Sequence, residues 1–180
     1  IASILLSAFF SGLEIAYLSS NKLKLELDKQ SNSIVARLLQ RILRSPSKYI
    51  ATILVGNNIS LVVYGITMAL VLEPNIQAYT HSSFLVLFIQ TLISTLIILV
   101  TAEFLPKVFF RLNPNRFLKI LILPLTLFHY LLAPIVNITL FLSKRGLKLF
   151  GLELVEDSPV FGKVDLEEYL KLSSKNDQEE

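Results

Sequence analysis

The sequence predicts an all-α membrane domain with three transmembrane helices and a juxtamembrane belt of interfacial helices. Three observations lead to this prediction: long uncharged stretches, the placement of lysine and arginine between them, and two prolines inside the last stretch. Hydrophobic residues make up 53% of the 180 residues and charged residues only 17%, whereas an average soluble domain is about 25% charged. This composition excludes an ordinary soluble globular domain, because too few polar residues remain to cover it.

Four apolar stretches are each long enough to cross a bilayer, since about 20 residues of helix span the hydrocarbon core. They are Ile1–Ser20, Tyr49–Leu72, Ser82–Ala102 and Ile120–Ser143. The first contains Glu14 as its single charge, and the other three contain none. The segments between them hold most of the charge, so the low overall charge has a local cause.

The basic residues predict the orientation of the helices. Asn21–Lys48 carries seven lysines and arginines against two acids, Lys107–Lys119 carries four, and Glu73–His81 carries none. By the positive-inside rule, the two basic segments are cytoplasmic. We therefore expect a multi-pass protein of the bacterial inner membrane, with its N-terminus outside and its C-terminal tail in the cytoplasm.

The fourth stretch is harder to place. A crossing would put Lys144, Arg145 and Lys148 outside, against the same rule, and Pro124 and Pro134 interrupt helical hydrogen bonding. We therefore predict two short helices in the cytoplasmic interface, with a fourth span as the alternative.

The segment Asn21–Ser45 is predicted to be largely helical, since apolar residues recur on one face with arginines at its edges. It is either a helix at the membrane surface or one packed on the bundle. Ser45-Pro46 ends this helix or begins the next. Residues 1–150 form the predicted membrane domain, and the polar residues 151–180 form a predicted cytoplasmic linker.

Three groups of polar residues lie within the apolar stretches, where each charged side chain costs about 2.5–3.5 kcal/mol. The first is Ser11-Gly12-Leu13-Glu14, and the second is Gly56-Asn57-Asn58. Glu14 could instead be solvated or paired with a lysine such as Lys22. The adjacent amides could instead join helices by hydrogen bonds.

The third group is Glu103-Phe104-Leu105-Pro106-Lys107. Pro106 has no N–H to donate to the carbonyl of Ala102, so a carboxylate lies beside a carbonyl without its helical partner. An ion pair between Glu103 and Lys107 is the alternative. Together the three groups offer carboxylate, amide, hydroxyl and carbonyl oxygens, which suit a hard cation such as Mg²⁺.

Softer metals are not expected. The sequence has no cysteine, and His81 and His129 lie outside the three groups, so a zinc or copper site is excluded as the main interpretation. No residue set combines a nucleophile with a base, so we do not expect an enzyme.

These residues resemble the transmembrane domain of the CNNM/CorC magnesium transporter family. The family elements Ser-Gly-x-Glu-x-Ala, Gly-Asn and Gly-Glu-x-x-Pro-Lys correspond in order to Ser11–Ala16, Gly56–Asn58 and Ala102–Lys107. Ala102 replaces the usual glycine, and Leu61 stands where many members have another asparagine. The tail 164–169 is more similar to the family's bacterial gliding-motility-associated branch.

The resemblance implies a homodimer with three transmembrane helices, and CBS domains that follow residues 151–180. It also implies Mg²⁺ coordination by Ser11, Asn57, Glu103 and a carbonyl at or near Gly56. Three further residues match the motifs as possible ligands: Glu14, Asn58 and Pro106.

We therefore expect a homodimer in the lipid bilayer that transports a divalent cation, most simply Mg²⁺, across the plasma membrane. The alternative is a non-transporting membrane scaffold or regulator that binds a membrane or periplasmic protein, for example in gliding motility or secretion. No nucleic-acid partner is expected.

Overall fold

The computed structural model describes residues 1–21, 25 and 34–149. Within these residues every element is helical. In chain order the elements are α1 (Ala2–Leu18), α2 (Ile34–Arg44), α3 (Pro46–Gln77), α4 (Ser83–Ile98), a π-helical turn (Leu99–Phe104), α5 (Leu105–Leu112) and α6 (Pro114–Leu149). The predicted linker 151–180 lies outside the described residues.

The helix α1 is the centre of the bundle. It packs against α3 on one side, against the π-helical turn and α5 on another, and against α6. Its side chains Phe10 and Leu13 are fully buried, and they join a core with Ile53 of α3 and Ile122 of α6. The core is therefore narrow and lies where α1 meets its neighbours.

The outer faces of the bundle are apolar. Leucines and phenylalanines such as Leu70, Phe84 and Leu131 are about two-thirds exposed or more. Four helical segments are long and apolar enough to cross a membrane: Ala2–Ser19, Pro46–Gln77, Ser83–Leu112 and Pro114–Leu149. An apolar outer surface around such segments fits a lipid environment, and the fold is that of an all-α, multi-pass membrane protein.

The amphipathic helix predicted within Asn21–Ser45 is confirmed over α2. Its buried residues Ala36, Leu39 and Ile42 face the bundle, and α2 packs mainly against α6. Ser45 is the N-cap of α3 and Pro46 is its first helical residue, as the proline rule predicts.

The prediction of two short helices in the fourth stretch is wrong. The helix α6 is continuous from Pro114 to Leu149, with Pro124 and Pro134 inside it. Each proline removes one backbone hydrogen bond, yet its fixed φ of about −65° is itself helical. Helices in apolar surroundings tolerate proline when neighbouring groups compensate.

The helix α6 packs against both α1 and α3. The backbone N–H of Asn21 donates to Asn115 Oδ1 over 3.0 Å, so α6 begins beside the end of α1. Farther along, His129 Nδ1 lies 2.8 Å from Thr52 Oγ1. The Phe128 ring lies 5.1 Å from the Phe10 ring between centroids, so α6 extends from the end of α1 to the middle of the bundle.

Candidate cation site

The contact between α1 and α3 contains the first two predicted polar groups. Ser7 Oγ donates to Asn57 Oδ1 over 2.8 Å, which ties the two helices together at this level. One residue earlier, Gly56 is buried and lies against the ring of Phe10. The glycine lets the helices approach closely, and the approach places the amide of Asn57 at the helix contact.

Ser11 is the most unusual polar residue of this contact. It lies one turn beyond Ser7 on α1 and is completely buried. Its hydroxyl has no hydrogen-bond partner within the part of the chain that the structure describes, unlike the buried Ser60, whose Oγ donates to the Gly56 carbonyl over 2.8 Å. A buried hydroxyl without a partner costs about 1–3 kcal/mol, so the position of Ser11 needs an explanation.

The third predicted group lies where the π-helical turn leads into α5. At its end the Leu105 N–H donates to the carbonyl of Val100, five residues earlier. Pro106 follows directly and is buried, and its missing N–H accounts for the irregular hydrogen bonding here. Single π-helical turns are frequent at functional sites, and this one carries Glu103.

The carboxylate of Glu103 is partly buried and lines an open cavity of about 380 Å³. The cavity lies between α1, the π-helical turn and α5, and Ile15, Lys107 and Arg111 also line it. Among the described residues Glu103 makes no hydrogen bond or ion pair. Its negative charge is therefore open to a cation.

The alternative ion pair between Glu103 and Lys107 does not form. Lys107 Nζ lies 3.4 Å from Glu14 Oε2 instead, so the first and third polar groups are joined across α1 and α5. Glu14 is thus paired with a lysine, as one sequence interpretation held, although with Lys107; the suggested Lys22 lies outside the described residues.

We expect Glu14→Gln to change stability only slightly. The side chains of Glu14 and Lys107 are 29% and 40% exposed, and ion pairs exposed to this degree contribute about 0–1 kcal/mol. Thermal unfolding in detergent should show a small shift. A loss of Mg²⁺ affinity in the same variant would instead assign Glu14 a role as a ligand.

The glycines within the first two polar groups do not break their helices. The helices α1 and α3 run without interruption through Gly12 and Gly56, so neither glycine frees a carbonyl by ending a helix. A helical glycine costs only about 1 kcal/mol relative to alanine, and here both glycines admit a phenyl ring. Gly12 lies against Phe110, whose ring atoms would be 2.8 Å from an added Cβ.

Not every predicted residue lies in the buried contact. Asn58 is exposed on α3, on a different face from Asn57. The described residues contain no group of three or more His, Cys, Asp or Glu able to hold a metal ion. A cation here would be bound by few carboxylates and several neutral oxygens, as the sequence proposed.

Sequence reasoning missed Ser7 and Phe10. Ser7 positions the amide of Asn57, and its spacing of four residues from Ser11 was the available signal, since both then lie on one helix face. Phe10 explains the glycine at position 56, but no pattern in one helix identifies its partner in another.

Comparison with known proteins agrees with this architecture. The family model described as "Cyclin M transmembrane N-terminal domain" matches residues 1–180. The chain is also 27% identical over 166 residues to the "UPF0053 inner membrane protein YfjD" of Escherichia coli (strain K12). That match covers 91% of this chain and 36% of the relative, so the chain spans about a third of the relative's length. With its bundle of apolar helices and the family match over its whole length, this chain belongs to the CNNM transmembrane-domain family.

Proposed function

We propose that this domain transports a divalent cation, most simply Mg²⁺, across the plasma membrane as a homodimer. The observation that carries the proposal is the buried hydroxyl of Ser11, which lacks a partner. A bound cation would coordinate the lone pairs of this oxygen, which otherwise have no partner. Hard cations prefer such oxygen ligands.

The spacing of the other proposed ligands supports the same site. Ser11 lies one turn from Ser7, which holds Asn57. The pair of Glu14 with Lys107 sets α5 beside α1, and Glu103 lies one turn before Lys107. Glu103 also shares a cavity with Ile15, which lies one turn from Ser11 on α1.

The proposed mechanism is alternating access. Glu103 supplies the negative charge, and Ser11 and Asn57 supply neutral oxygens. The carbonyl of Gly56 is left out of the set, because it accepts a hydrogen bond from Ser60 Oγ. Gly12 and Gly56 provide no hinge, because α1 and α3 are continuous. The π-helical turn before Pro106 is the element that could change its hydrogen bonding as the site opens to either side.

The place where α6 begins supports the proposed orientation, in which the basic end of the bundle is cytoplasmic. The pairs Ser7–Asn57 and Phe10–Gly56 show that α1 and α3 are antiparallel. Leu18 and Pro46 each lie about 16 Å from the Ser7–Asn57 bond, so they mark one end of the bundle. The helix α6 begins at this end, where Asn115 Oδ1 accepts a hydrogen bond from the backbone N–H of Asn21.

Titration of Mg²⁺ into the detergent-purified protein tests the proposal. We expect the wild type to bind and Glu103→Gln to lose binding, because the substitution removes the charge and keeps the shape. Glu73→Gln is the matched control, since Glu73 is exposed and accepts a hydrogen bond from Gln77 of the same helix. Unchanged binding in Glu103→Gln would remove this residue from the site.

One observation favours the scaffold alternative. Asn57 Oδ1 already accepts a hydrogen bond from Ser7, which is how amides join helices in membranes without binding an ion. If well-folded wild-type protein binds no Mg²⁺, the scaffold becomes the better hypothesis. The same result would redirect the search to membrane or periplasmic protein partners.

A further inference from the structure

A stripe of basic side chains lies at the end of the bundle where α2 leads into α3. It consists of Arg37, Arg41 and Arg44 of α2 and Lys48 in the first turn of α3. The three arginines are spaced by four and three residues, so they share one helix face. All four side chains are exposed, and no carboxylate among the described residues forms an ion pair with them.

A hydrogen bond joins this basic stripe to α6. Arg41 Nη1 donates to Tyr130 Oη over 3.1 Å, which holds the guanidinium beside the middle of α6. A guanidinium has five N–H donors in a planar fork, so four remain for another acceptor. A planar donor set of this kind matches the oxygens of a phosphate.

An exposed apolar face of α6 begins at the same place. Leu127 lies three residues before Tyr130 and Leu131 one residue after it, and all three side chains are more than 60% exposed. Ile138, two turns beyond Leu131, continues the face and is 60% exposed. The surface thus combines fixed positive charge with a contiguous apolar strip and an aromatic hydroxyl at their junction.

We propose that this surface binds an anionic phospholipid, with the headgroup phosphate on the basic stripe and an acyl chain along the exposed face of α6. A soluble phosphate or a polyanion would use the charges but would leave the apolar strip uncovered. An amphiphile covers both. Tyrosine and arginine at the level of lipid headgroups are typical of such contacts, and anionic lipids attract juxtamembrane basic residues.

Delipidated protein in a neutral detergent provides the test. Phosphatidylglycerol and phosphatidylcholine with identical acyl chains are titrated, and bound lipid is counted by native mass spectrometry. The test variant is Arg37→Gln with Arg44→Gln, which removes two exposed cations and keeps helix propensity. The control is Arg116→Gln with Lys119→Gln, which removes two cations from the other basic segment predicted on the same side.

We expect the wild type to prefer phosphatidylglycerol and the test variant to bind it about 25-fold more weakly, at roughly a factor of five per cation. The control should retain the wild-type affinity. Equal weakening in both variants would overturn the proposal, because it would show attraction to net charge alone. Equal binding of the two lipids would overturn it as well.

Competition with inorganic phosphate tests whether this surface binds free phosphate instead of a phospholipid headgroup. Displacement of phosphatidylglycerol by millimolar phosphate would indicate a site for free phosphate and contradict the lipid assignment. The proposal is independent of cation transport, since Glu103 does not contribute to this surface. Glu103→Gln is therefore expected to bind the lipid like the wild type even where it no longer binds Mg²⁺.

Discussion

Gly56→Ala is expected to destabilise the domain by about 1–3 kcal/mol, the range for overpacking a close contact. The added Cβ would overlap the ring of Phe10. That ring cannot move aside easily, because it is fully buried and meets the rings of Phe9 and Phe128 edge-on, each at 5.1 Å between centroids. The helices α1 and α3 must separate instead.

Gly65→Ala is the matched control on the same helix. An added Cβ at Gly65 meets nothing within 4 Å, so only the gain in helix propensity remains, about 1 kcal/mol in favour of alanine. The two identical substitutions should therefore shift the melting temperature in detergent in opposite directions. A stabilising Gly56→Ala would show that the α1–α3 contact is looser than this structure has it.

A second substitution tests whether the loss of stability in Gly56→Ala has a steric cause. Phe10→Leu in the Gly56→Ala background shortens the obstructing side chain and should recover part of the lost stability, although Phe10→Leu alone should be destabilising. Interaction energies between contacting residues commonly reach 0.5–3 kcal/mol. Additive effects of the two substitutions would contradict the direct contact.

The same substitution links packing to the proposed site. Asn57 follows Gly56 and is held by Ser7 of α1, so separation of the helices should also lengthen this bond. We therefore expect weaker Mg²⁺ binding in Gly56→Ala and unchanged binding in Gly65→Ala. The glycine would then serve the site by allowing close approach rather than by breaking α3.

The sequence predicted where helices form along the chain better than it predicted how they continue and pack against one another. The apolar stretches and the Ser45-Pro46 junction were evident because hydrophobic length and proline geometry act locally. The continuity of α6 was missed because Pro124 and Pro134 were treated as breaks, whereas each removes one hydrogen bond from a helix that its neighbours support. Local rules give the free-energy cost of a proline within a helix, but they do not show which neighbouring groups offset that cost.

Residue type predicted the members of the proposed site, but it did not predict which side chains pair with each other. Charge and polarity in apolar stretches singled out Ser11, Asn57 and Glu103, since such residues are costly there. The partner of Lys107 proved to be Glu14 rather than the residue one turn away. Helical spacing makes a pair within one helix easy to propose, whereas packing of α1 on α5 decides which pair forms.

Ser11→Ala is expected to have opposite effects on stability and on ion binding. Without metal, the substitution removes a buried hydroxyl that has no partner, so the free energy of unfolding should rise by about 1–3 kcal/mol. In the presence of Mg²⁺ the wild type gains binding energy that depends on affinity, about 2.7 kcal/mol at a concentration 100 times Kd. The variant should gain less, because one proposed ligand is missing.

Ser60→Ala is the control for this last experiment, because Ser60 is equally buried but donates a hydrogen bond to the Gly56 carbonyl. Its loss should lower stability slightly, by about 0.5–1.5 kcal/mol, and should leave the shift caused by Mg²⁺ largely intact. Melting temperatures of the wild type and both variants, measured with and without Mg²⁺, provide the comparison. If Ser11→Ala is stabilising and the Mg²⁺ shift is unchanged, the buried hydroxyl is not a ligand. If the shift falls as stability rises, the cost of the unpaired hydroxyl is explained by the ion that it binds.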